Sequence, residues 1–242
     1  MRGLSLAGVL GMVVVGLSIA AEPERMLPGP GGGEPVGIER EVLWLDAPAF
    51  DWYVASSEVI GAYDLWTEVA GNFLLEAEAT ICKVTWWGVY WNGFEGPTGA
   101  GFNLRFYMDI ACLPEDAPFS EYLLPGDDCC EALAEGGDMY MQFVYEYCLD
   151  LPLPPGSYWF SAQMADHEFP PQWGRLGARW NNQPCESMWR SPFFGYPDWT
   201  GDPTGLLYPW WGSQMIEDVC EATLIEKVSW GNIKTLYRAQ AR

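Results

Sequence analysis

The stretch from Ala79 to Asn92 constrains the fold of this chain more than any other segment. Its side chains separate at a period of two onto two faces, and both faces carry large apolar groups, with Trp86 and Tyr90 on one and Trp87 and Trp91 on the other. β-branched and aromatic residues suit the pleated surface of a strand. The pattern therefore predicts a central strand of a packed β-sheet that is covered on both faces.

Other short segments continue this pattern along the chain. The cleanest alternation runs from Phe102 to Asp109, with an apolar face of Phe102, Leu104, Phe106 and Met108 and an opposite face of Asn103, Arg105, Tyr107 and Asp109. Further strands are expected over Tyr140–Leu149, Ser157–Met164 and, closing the domain, Glu217–Ile225. Turn residues lie between these segments, and no helical period separates them. The sequence therefore predicts an all-β domain over residues 55–225, an antiparallel β-sandwich of jelly-roll type with long aromatic loops.

The first residues have the features of a secretory signal peptide. Met1-Arg2 provides a positive start, an apolar run extends from Leu4 to Ile19, and small residues precede Glu22. A single membrane-spanning helix is the alternative, but the run is short and is followed by acidic residues and prolines. We therefore expect residues 1–21 to be removed, and the mature protein to be secreted or held at the cell surface without a membrane span.

Two further segments flank the predicted domain. Residues 22–54 are rich in Pro and Gly, which indicates a linker, and an edge strand is expected between Val42 and Tyr53. Residues 226–242 form a short C-terminal tail with apolar residues at roughly helical spacing and several Lys and Arg residues. A positive tail beside an acidic domain suggests that it docks onto that domain or binds an external partner.

The charge of the chain excludes some classes of partner. Lys and Arg number 12 against 33 Asp and Glu, which gives a formal net charge of -21 at pH 7. A surface this acidic repels phosphate groups, so we do not expect nucleic acid or anionic membrane surfaces as partners.

The cysteines of an exported chain indicate a disulfide framework. An odd number leaves at least one thiol free or bonded to another chain. Adjacent Cys129 and Cys130 do not easily bond to each other, and Cys112 is the nearest partner for one of them. A zinc site is disfavoured because no CxxC spacing occurs and His167 is the only imidazole. The candidates for disulfide bonds are Cys82, Cys112, Cys129, Cys130, Cys148, Cys185 and Cys220.

The segment from Asp166 to Gly212 is the most suggestive of function. It has many aromatic residues among Pro and Gly and little regular period, so we expect long loops that either bind a ligand or cover a sheet. Indole faces beside polar side chains would stack on sugar rings, whose C–H faces are apolar. The alternative is that the indoles form a minor core beneath the loops. The candidate ligand-binding residues are Trp173, Trp180, Trp189, Trp199, Trp210, Trp211 and His167.

No catalytic motif accompanies these aromatic residues. Neither a GxSxG elbow nor an HExxH helix accompanies His167, and a lone histidine in a polar loop is more often a surface or hydrogen-bonded residue. Two carboxylates across a groove could hydrolyse a glycoside, but so acidic a chain brings carboxylates together by chance. The candidates are Asp109, Asp150, Asp166 and Glu168. The sequence therefore favours a protein without catalysis and predicts no cofactor.

Calcium is the metal that the acidic loops would bind, because it takes carboxylate, carbonyl and water oxygens. The candidate ligands are Asp127 and Asp128 in one loop and Asp166 and Glu168 in another. A solvated acidic surface accounts for these residues equally well.

Six pieces of the chain follow one another as an ordered series of motifs, namely Ala70–Phe73, Ile81–Tyr90, Phe102–Tyr107, Leu153–Trp159, Gln172–Gly174 and Trp189–Pro192. The series resembles a group of bacterial exported β-sandwich domains of unassigned activity, and its motifs are those of a fold. Gly71 and the cysteine-rich loop depart from the pattern of that group. The end of the chain, Trp-Gly-Asn-Ile-Lys-Thr-Leu-Tyr-Arg from Trp230, is similar to short tails of other exported bacterial proteins. That likeness implies sorting or anchoring, and a surface helix packed on the sandwich is the alternative.

Three functions are therefore expected. The first is a secreted, non-catalytic module that binds a carbohydrate or another cell-surface component through its Trp-rich loops. The second is a structural or adhesive envelope protein anchored or sorted through the tail, and the third is an extracellular glycan hydrolase.

Overall fold

The structure, a computed structural model, describes residues 42–48, 54–91, 100–126, 130–133, 142–178, 184–201 and 212–218. The expected signal peptide, residues 22–41 of the linker and the C-terminal tail lie outside the described residues. Within the described ranges, no helix has the length and apolar character needed to cross a membrane.

The described chain is built almost entirely of β-strands. Two single turns of 3-10 helix interrupt them, at Gly61–Tyr63 and Pro192–Phe194. The strands are β1 (Val42–Asp46), β2 (Val54–Ser56), β3 (Val59–Ile60), β4 (Leu65–Trp66), β5 (Glu68–Leu75), β6 (Ala79–Trp91), β7 (Phe102–Met108), β8 (Ser120–Leu124), β9 (Cys130–Leu133), β10 (Gln142–Leu153), β11 (Gly156–Met164), β12 (Gln172–Leu176), β13 (Met188–Ser191), β14 (Tyr196–Thr200) and β15 (Gln214–Glu217).

The strands form two antiparallel sheets and one small hairpin of β3 and β4. The first sheet has the order β1-β15-β6-β10-β9, and β12 joins it by pairing with both β6 and β2. The second sheet has the order β14-β13-β5-β11-β7-β8. The main hydrophobic core draws residues from both sheets. The prediction of an all-β antiparallel sandwich is therefore confirmed, and the jelly-roll connectivity stays a prediction.

Strand β6 is the central strand that the sequence predicts. It pairs with β10 along one edge, and β12 and β15 share its other edge end to end. Its fully buried Trp86 packs edge-on against Phe102 and Phe160 of the second sheet. Lys83 and Thr85 are buried as well, so both faces of the strand are covered as expected. An edge strand is also present where one was expected, at β1, which pairs with β15 and ends the path of the first sheet.

The alternation in β7 is confirmed in part. Phe102, Leu104 and Phe106 face the main core as predicted, whereas Met108 is 42% exposed. Tyr107, expected on the polar face, is fully buried. It belongs to a second cluster on the outer face of the second sheet, which therefore has apolar groups on both of its faces. The members of this second cluster are Ala70, Tyr107, Trp159, Cys185, Met188 and Trp199.

Three strands lie in the segment that was expected to form long loops. These are β12, β13 and β14. The closing strand expected over Glu217–Ile225 lies mostly outside the described residues, and the last described strand, β15, covers Gln214–Glu217. Gln214 is polar but fully buried, and its Nε2 donates to the Asn72 carbonyl oxygen of the second sheet at 2.8 Å. A polar residue at a core position hides the alternation by which a strand is recognised.

The disulfide framework also needs a correction. Cys112 bonds to Cys185 rather than to Cys129 or Cys130. The chain folds the loop after β7 against the segment that leads into β13, which brings together two cysteines separated by 73 residues. The remaining cysteines fall into two groups. Cys82 and Cys148 are half-buried on neighbouring strands and Cys130 begins β9, whereas Cys129 and Cys220 lie outside the described residues.

Candidate functional site

A buried carboxylate organises the outer face of the second sheet. Glu68 is fully buried on β5. Its Oε1 accepts hydrogen bonds from the Tyr107 hydroxyl at 2.7 Å and from Arg105 Nη1 at 3.2 Å. Its Oε2 accepts from Arg190 Nε at 3.1 Å and Nη2 at 2.7 Å. We call Glu68, Tyr107, Arg105 and Arg190 the Glu68 cluster. Two guanidinium groups and a hydroxyl compensate the buried charge, as a stable buried ion requires.

The pKa values of the cluster follow from its burial. Burial raises the pKa of Tyr107 far above its ordinary value, and the Glu68 carboxylate raises it further. For Arg105, burial lowers the pKa, but Glu68 and Glu121 outweigh burial and the net direction is upward. Tyr107 therefore stays a neutral donor, and Arg105 stays a cation.

Arg190 connects this cluster to the hairpin formed by β13 and β14. Its guanidinium carbon lies 4.2 Å from the ring centroid of Trp199 and 5.0 Å from that of Trp66. A guanidinium that stacks on rings and donates two hydrogen bonds to one carboxylate oxygen is held in one orientation. The hairpin is therefore fixed to the sheet at Arg190.

The same hairpin presents an exposed group of aromatic rings, which we call the aromatic cluster and define as Trp189, Phe193, Phe194 and Tyr196. Phe193, Phe194 and Tyr196 are 44%, 39% and 39% exposed. The Trp189 ring centroid lies 6.1 Å from that of Phe194 and 5.8 Å from that of Tyr196. Trp189 is half-buried, and its Nε1 donates to the Ser56 carbonyl oxygen at 3.1 Å, which fixes the indole.

A tight turn keeps the rings of the aromatic cluster at the surface. The 3-10 turn begins at Pro192 and is closed by the Gly195 amide, which donates to the Pro192 carbonyl oxygen at 3.0 Å. Gly195 has a φ of 84°, a conformation that glycine adopts without strain. The turn therefore brings aromatic residues from both of its arms to one surface.

Trp173 does not belong to any exposed surface, which corrects the expectation for this residue. It lies in β12, fully buried, with its ring 5.0 Å from Phe102 and 6.0 Å from Tyr145. Its Nε1 donates to the Tyr145 hydroxyl at 3.1 Å. The indole is part of the main core and has no face left for a ligand.

The other predicted tryptophans have different positions. Trp199 is buried in the second cluster, covered by Arg190 and packed edge-on against Tyr107. The expected ligand contact of Trp199 is therefore also corrected, because the ring is buried and the Arg190 guanidinium covers one of its faces. Trp189 alone of the described candidates lies in the aromatic cluster. Trp180, Trp210 and Trp211 lie outside the described residues.

His167 is buried and makes its contacts inside the protein, so it does not contact a ligand. Its side chain is 1% exposed, and Nε2 lies 2.9 Å from Glu58 Oε2. Nδ1 lies 3.1 Å from the Glu168 carbonyl oxygen. Glu58 Oε2 also accepts from the Trp173 backbone N–H at 2.6 Å. The expected ligand role of His167 is corrected because both ring nitrogens are engaged inside the protein.

The calcium candidates are not brought together in the described residues. Asp127 and Asp128 lie outside them, and Asp166 and Glu168 are exposed. Asp166 Oδ1 accepts from the Gly61 N–H at 2.7 Å. The described ranges contain no group of three His, Cys, Asp or Glu residues that could hold a metal ion.

The sequence contains a signal for the aromatic cluster that a search confined to tryptophan misses. The run Trp189-Arg-Ser-Pro-Phe-Phe-Gly-Tyr196 places Pro and Gly between aromatic residues, which is typical of a hairpin turn. No comparable signal identifies Glu68, because an isolated acidic residue in a strand is normally exposed.

No protein family model, curated protein or solved structure matches this chain. We therefore infer its function from the chemistry of its own residues.

Proposed function

We propose that this protein is an exported, non-catalytic carbohydrate-binding module whose ligand surface is the aromatic cluster. The observation that carries the proposal is the grouping of three exposed rings around Trp189 on one hairpin at the edge of the described second sheet. Exposed aromatic residues that contact one another mark a binding surface, since isolated ones are ordinary.

The chemistry of the surface suits a sugar. Aromatic faces stack on the apolar C–H faces of pyranose rings, and the hydroxyl groups then need hydrogen-bond partners. The Tyr196 hydroxyl and the exposed carboxylate of Asp198, two residues further along β14, can provide them. The rings supply contact area, and the polar groups supply orientation.

The hairpin is also prepared for binding before any ligand arrives. The Arg190–Glu68 pair and the Trp189–Ser56 hydrogen bond hold it at two points. A surface that is already ordered loses little conformational entropy on binding. The aromatic rings of this hairpin can therefore contact a ligand with little further loss of conformational entropy.

The expected signal peptide supports a ligand outside the cytoplasm, which is also where the alternative functions would act. A glycan hydrolase would need a pair of carboxylates facing a groove. Asp109 Oδ1 instead accepts from Trp159 Nε1 at 2.8 Å. The envelope-anchoring alternative depends on residues 226–242, which lie outside the described residues.

The proposal is tested by binding of the full chain to a glycan array, followed by titration with the best glycan. We expect the double variant Phe193→Ala, Tyr196→Ala to bind about tenfold or more weakly, because exposed aromatic anchors dominate such surfaces. The matched control is Leu123→Ala, whose side chain is 69% exposed on β8 at the opposite end of the second sheet.

Two results would overturn the proposal. One is that the full chain binds no glycan, and the other is that the double variant binds as tightly as the control. Release of new reducing ends from the glycan in the same mixtures would favour the hydrolase instead.

A further inference from the structure

The exposed charges of the described residues are all negative. The Lys and Arg residues in these ranges are Lys83, Arg105, Arg175 and Arg190, and none of them is exposed. Lys83 pairs with Glu217 at 2.7 Å, and both Arg105 and Arg190 pair with Glu68. Arg175 is fully buried and donates to the Phe160 carbonyl oxygen. The exposed acids of the same ranges are Asp64, Glu76, Glu78, Glu115, Asp116, Glu121, Asp150, Asp166, Glu168, Glu186 and Asp198.

A second exposed pair of rings lies within this acidic surface. Tyr63 is 55% exposed and Phe169 is 38% exposed. Their ring centroids are 5.4 Å apart, and the planes meet at 78°. We call this pair the aromatic corner. Because the two ring planes are nearly perpendicular, one small ligand group placed beside the pair can contact both rings.

Carboxylates flank both rings of the corner along the chain. Asp64 follows Tyr63, and Glu168 precedes Phe169, and both are exposed. The Asp166 carboxylate joins the two segments through its 2.7 Å hydrogen bond from Gly61 N–H. The His167–Glu58 contact then anchors the second segment in the protein interior. The corner is therefore both acidic and held in place.

Tyr63 of the corner lies on the β3–β4 hairpin, which adjoins the β13–β14 hairpin that carries the aromatic cluster. The Ser191 hydroxyl of β13 donates to the Trp66 carbonyl oxygen of β4 at 2.9 Å, and Arg190 stacks on the Trp66 ring. Tyr63 belongs to the turn between β3 and β4. The hairpin that carries Tyr63 therefore lies beside the hairpin that carries the aromatic cluster, as an extended ligand that contacts both would require.

We infer that the aromatic corner binds a primary ammonium group, and that the glycan bound by this module carries free amino groups. The glycan part of this inference rests on the proposed function. Aromatic rings attract a cation placed near their faces, and nearby carboxylates add to that attraction. An amino sugar supplies an ammonium group together with an apolar ring face. An anionic glycan is repelled by this surface, and a neutral one gains nothing from its carboxylates.

The test compares two oligosaccharides of equal length, a β-linked glucosamine oligomer and its fully N-acetylated form, by calorimetric titration of the full chain. We expect the glucosamine oligomer to bind about tenfold more tightly at low salt, and the preference to shrink as salt screens the carboxylates. The variants Tyr63→Ala and Asp64→Asn should lose the preference while still binding the N-acetylated form. Glu78→Gln, which removes an exposed charge in the turn between β5 and β6, is the matched control and should keep it.

The outcomes separate this inference from the proposed function. Equal binding of the two oligosaccharides, or a preference unchanged in Tyr63→Ala and Asp64→Asn, overturns the inference and leaves the glycan-binding role intact. If neither oligosaccharide binds and a lysine-rich peptide does, the ammonium site stands and its assignment to a glycan is overturned. Failure of all three ligands overturns the inference as a whole.

Discussion

At the scale of single residues, Gly88 shows how closely the core is packed. A Cβ atom placed on it would lie 2.3 Å from Cζ2 of Trp173, which is fully buried and cannot move aside. We expect Gly88→Ala to lower the free energy of unfolding by about 1–3 kcal/mol, as overpacking does. Urea denaturation would measure the change.

Gly201→Ala is the matched control for this substitution. The nearest atom to its added Cβ is Glu186 Oε1 at 3.3 Å, the end of an exposed and flexible side chain. We expect little change in stability there. Equal free energies of unfolding for the two variants would show that Trp173 does not confine Gly88.

Tyr107 predicts how stability depends on pH. Burial and the Glu68 carboxylate raise its pKa in the folded protein. An unfolded chain releases this proton above about pH 10, whereas the folded chain keeps it. The contribution of Tyr107 to stability is therefore complete below about pH 10 and is lost as the pH rises further. Tyr107→Phe has no proton to release, so its unfolding free energy should fall less steeply above pH 10.

Urea denaturation of both proteins over a series of alkaline pH values would measure this difference. The pKa of Tyr158 is also raised by burial, but Tyr158 is present in both proteins and its effect cancels in the comparison. Parallel pH profiles for the wild type and Tyr107→Phe would contradict the prediction.

At the scale of elements, the β13–β14 hairpin depends on Arg190, which stacks on Trp66 and Trp199 and donates two hydrogen bonds to Glu68 Oε2. Lysine keeps the charge but has neither the planar fork nor the stacking surface. We expect Arg190→Lys to increase local opening, so that amide hydrogen exchange in β13 and β14 becomes about tenfold faster. Exchange in β8, at the other end of the sheet, should stay unchanged. Uniform acceleration in both strands would mean that Arg190 stabilises the protein globally and does not fix the hairpin in particular.

The elements also show what the sequence could and could not reveal. β6 was predictable because it is long and apolar at alternate positions on both faces. β12 was not, because Gln172-Trp-Gly-Arg-Leu176 contains a fully buried arginine that resembles a surface residue. In the structure, Arg175 Nη2 donates to Gln214 Oε1 at 2.7 Å. Two polar residues that are far apart in the sequence hydrogen-bond to each other in the core, and no local pattern encodes such a pairing.

The candidate site was predictable to a similar extent. The sequence pointed to aromatic residues between His167 and Trp211, and the aromatic cluster lies there. It could not show which rings are exposed, because the same residue types fill the core at Trp173 and the surface at Tyr196. The Glu68 cluster depends on contacts between β5, β7 and β13, and these exist only once the sheet has formed.

At the scale of the whole molecule, β15 links two parts of the first sheet. It pairs with β1 on one side and with β6 on the other. A chain that ends at Ser213 lacks this strand, which leaves β1 without its partner and exposes part of one edge of β6. Unpaired edges promote aggregation. We therefore expect this truncation to lose its cooperative unfolding transition and to form aggregates, as measured by thermal denaturation and size-exclusion chromatography.

A chain that ends at Asp218 is the control for this truncation, because it keeps β15. We expect it to remain monodisperse and to unfold in one transition. Identical behaviour of the two truncations would contradict a structural role for β15.

The position of β15 also affects when folding can finish during synthesis. β6 is synthesised early, but part of its edge cannot form hydrogen bonds until residues 214–217 have left the ribosome. Pairing between strands so far apart in the chain is slow, because a long loop must close before any contact is gained. A nascent chain of this topology therefore cannot complete its first sheet until most of the polypeptide has been translated.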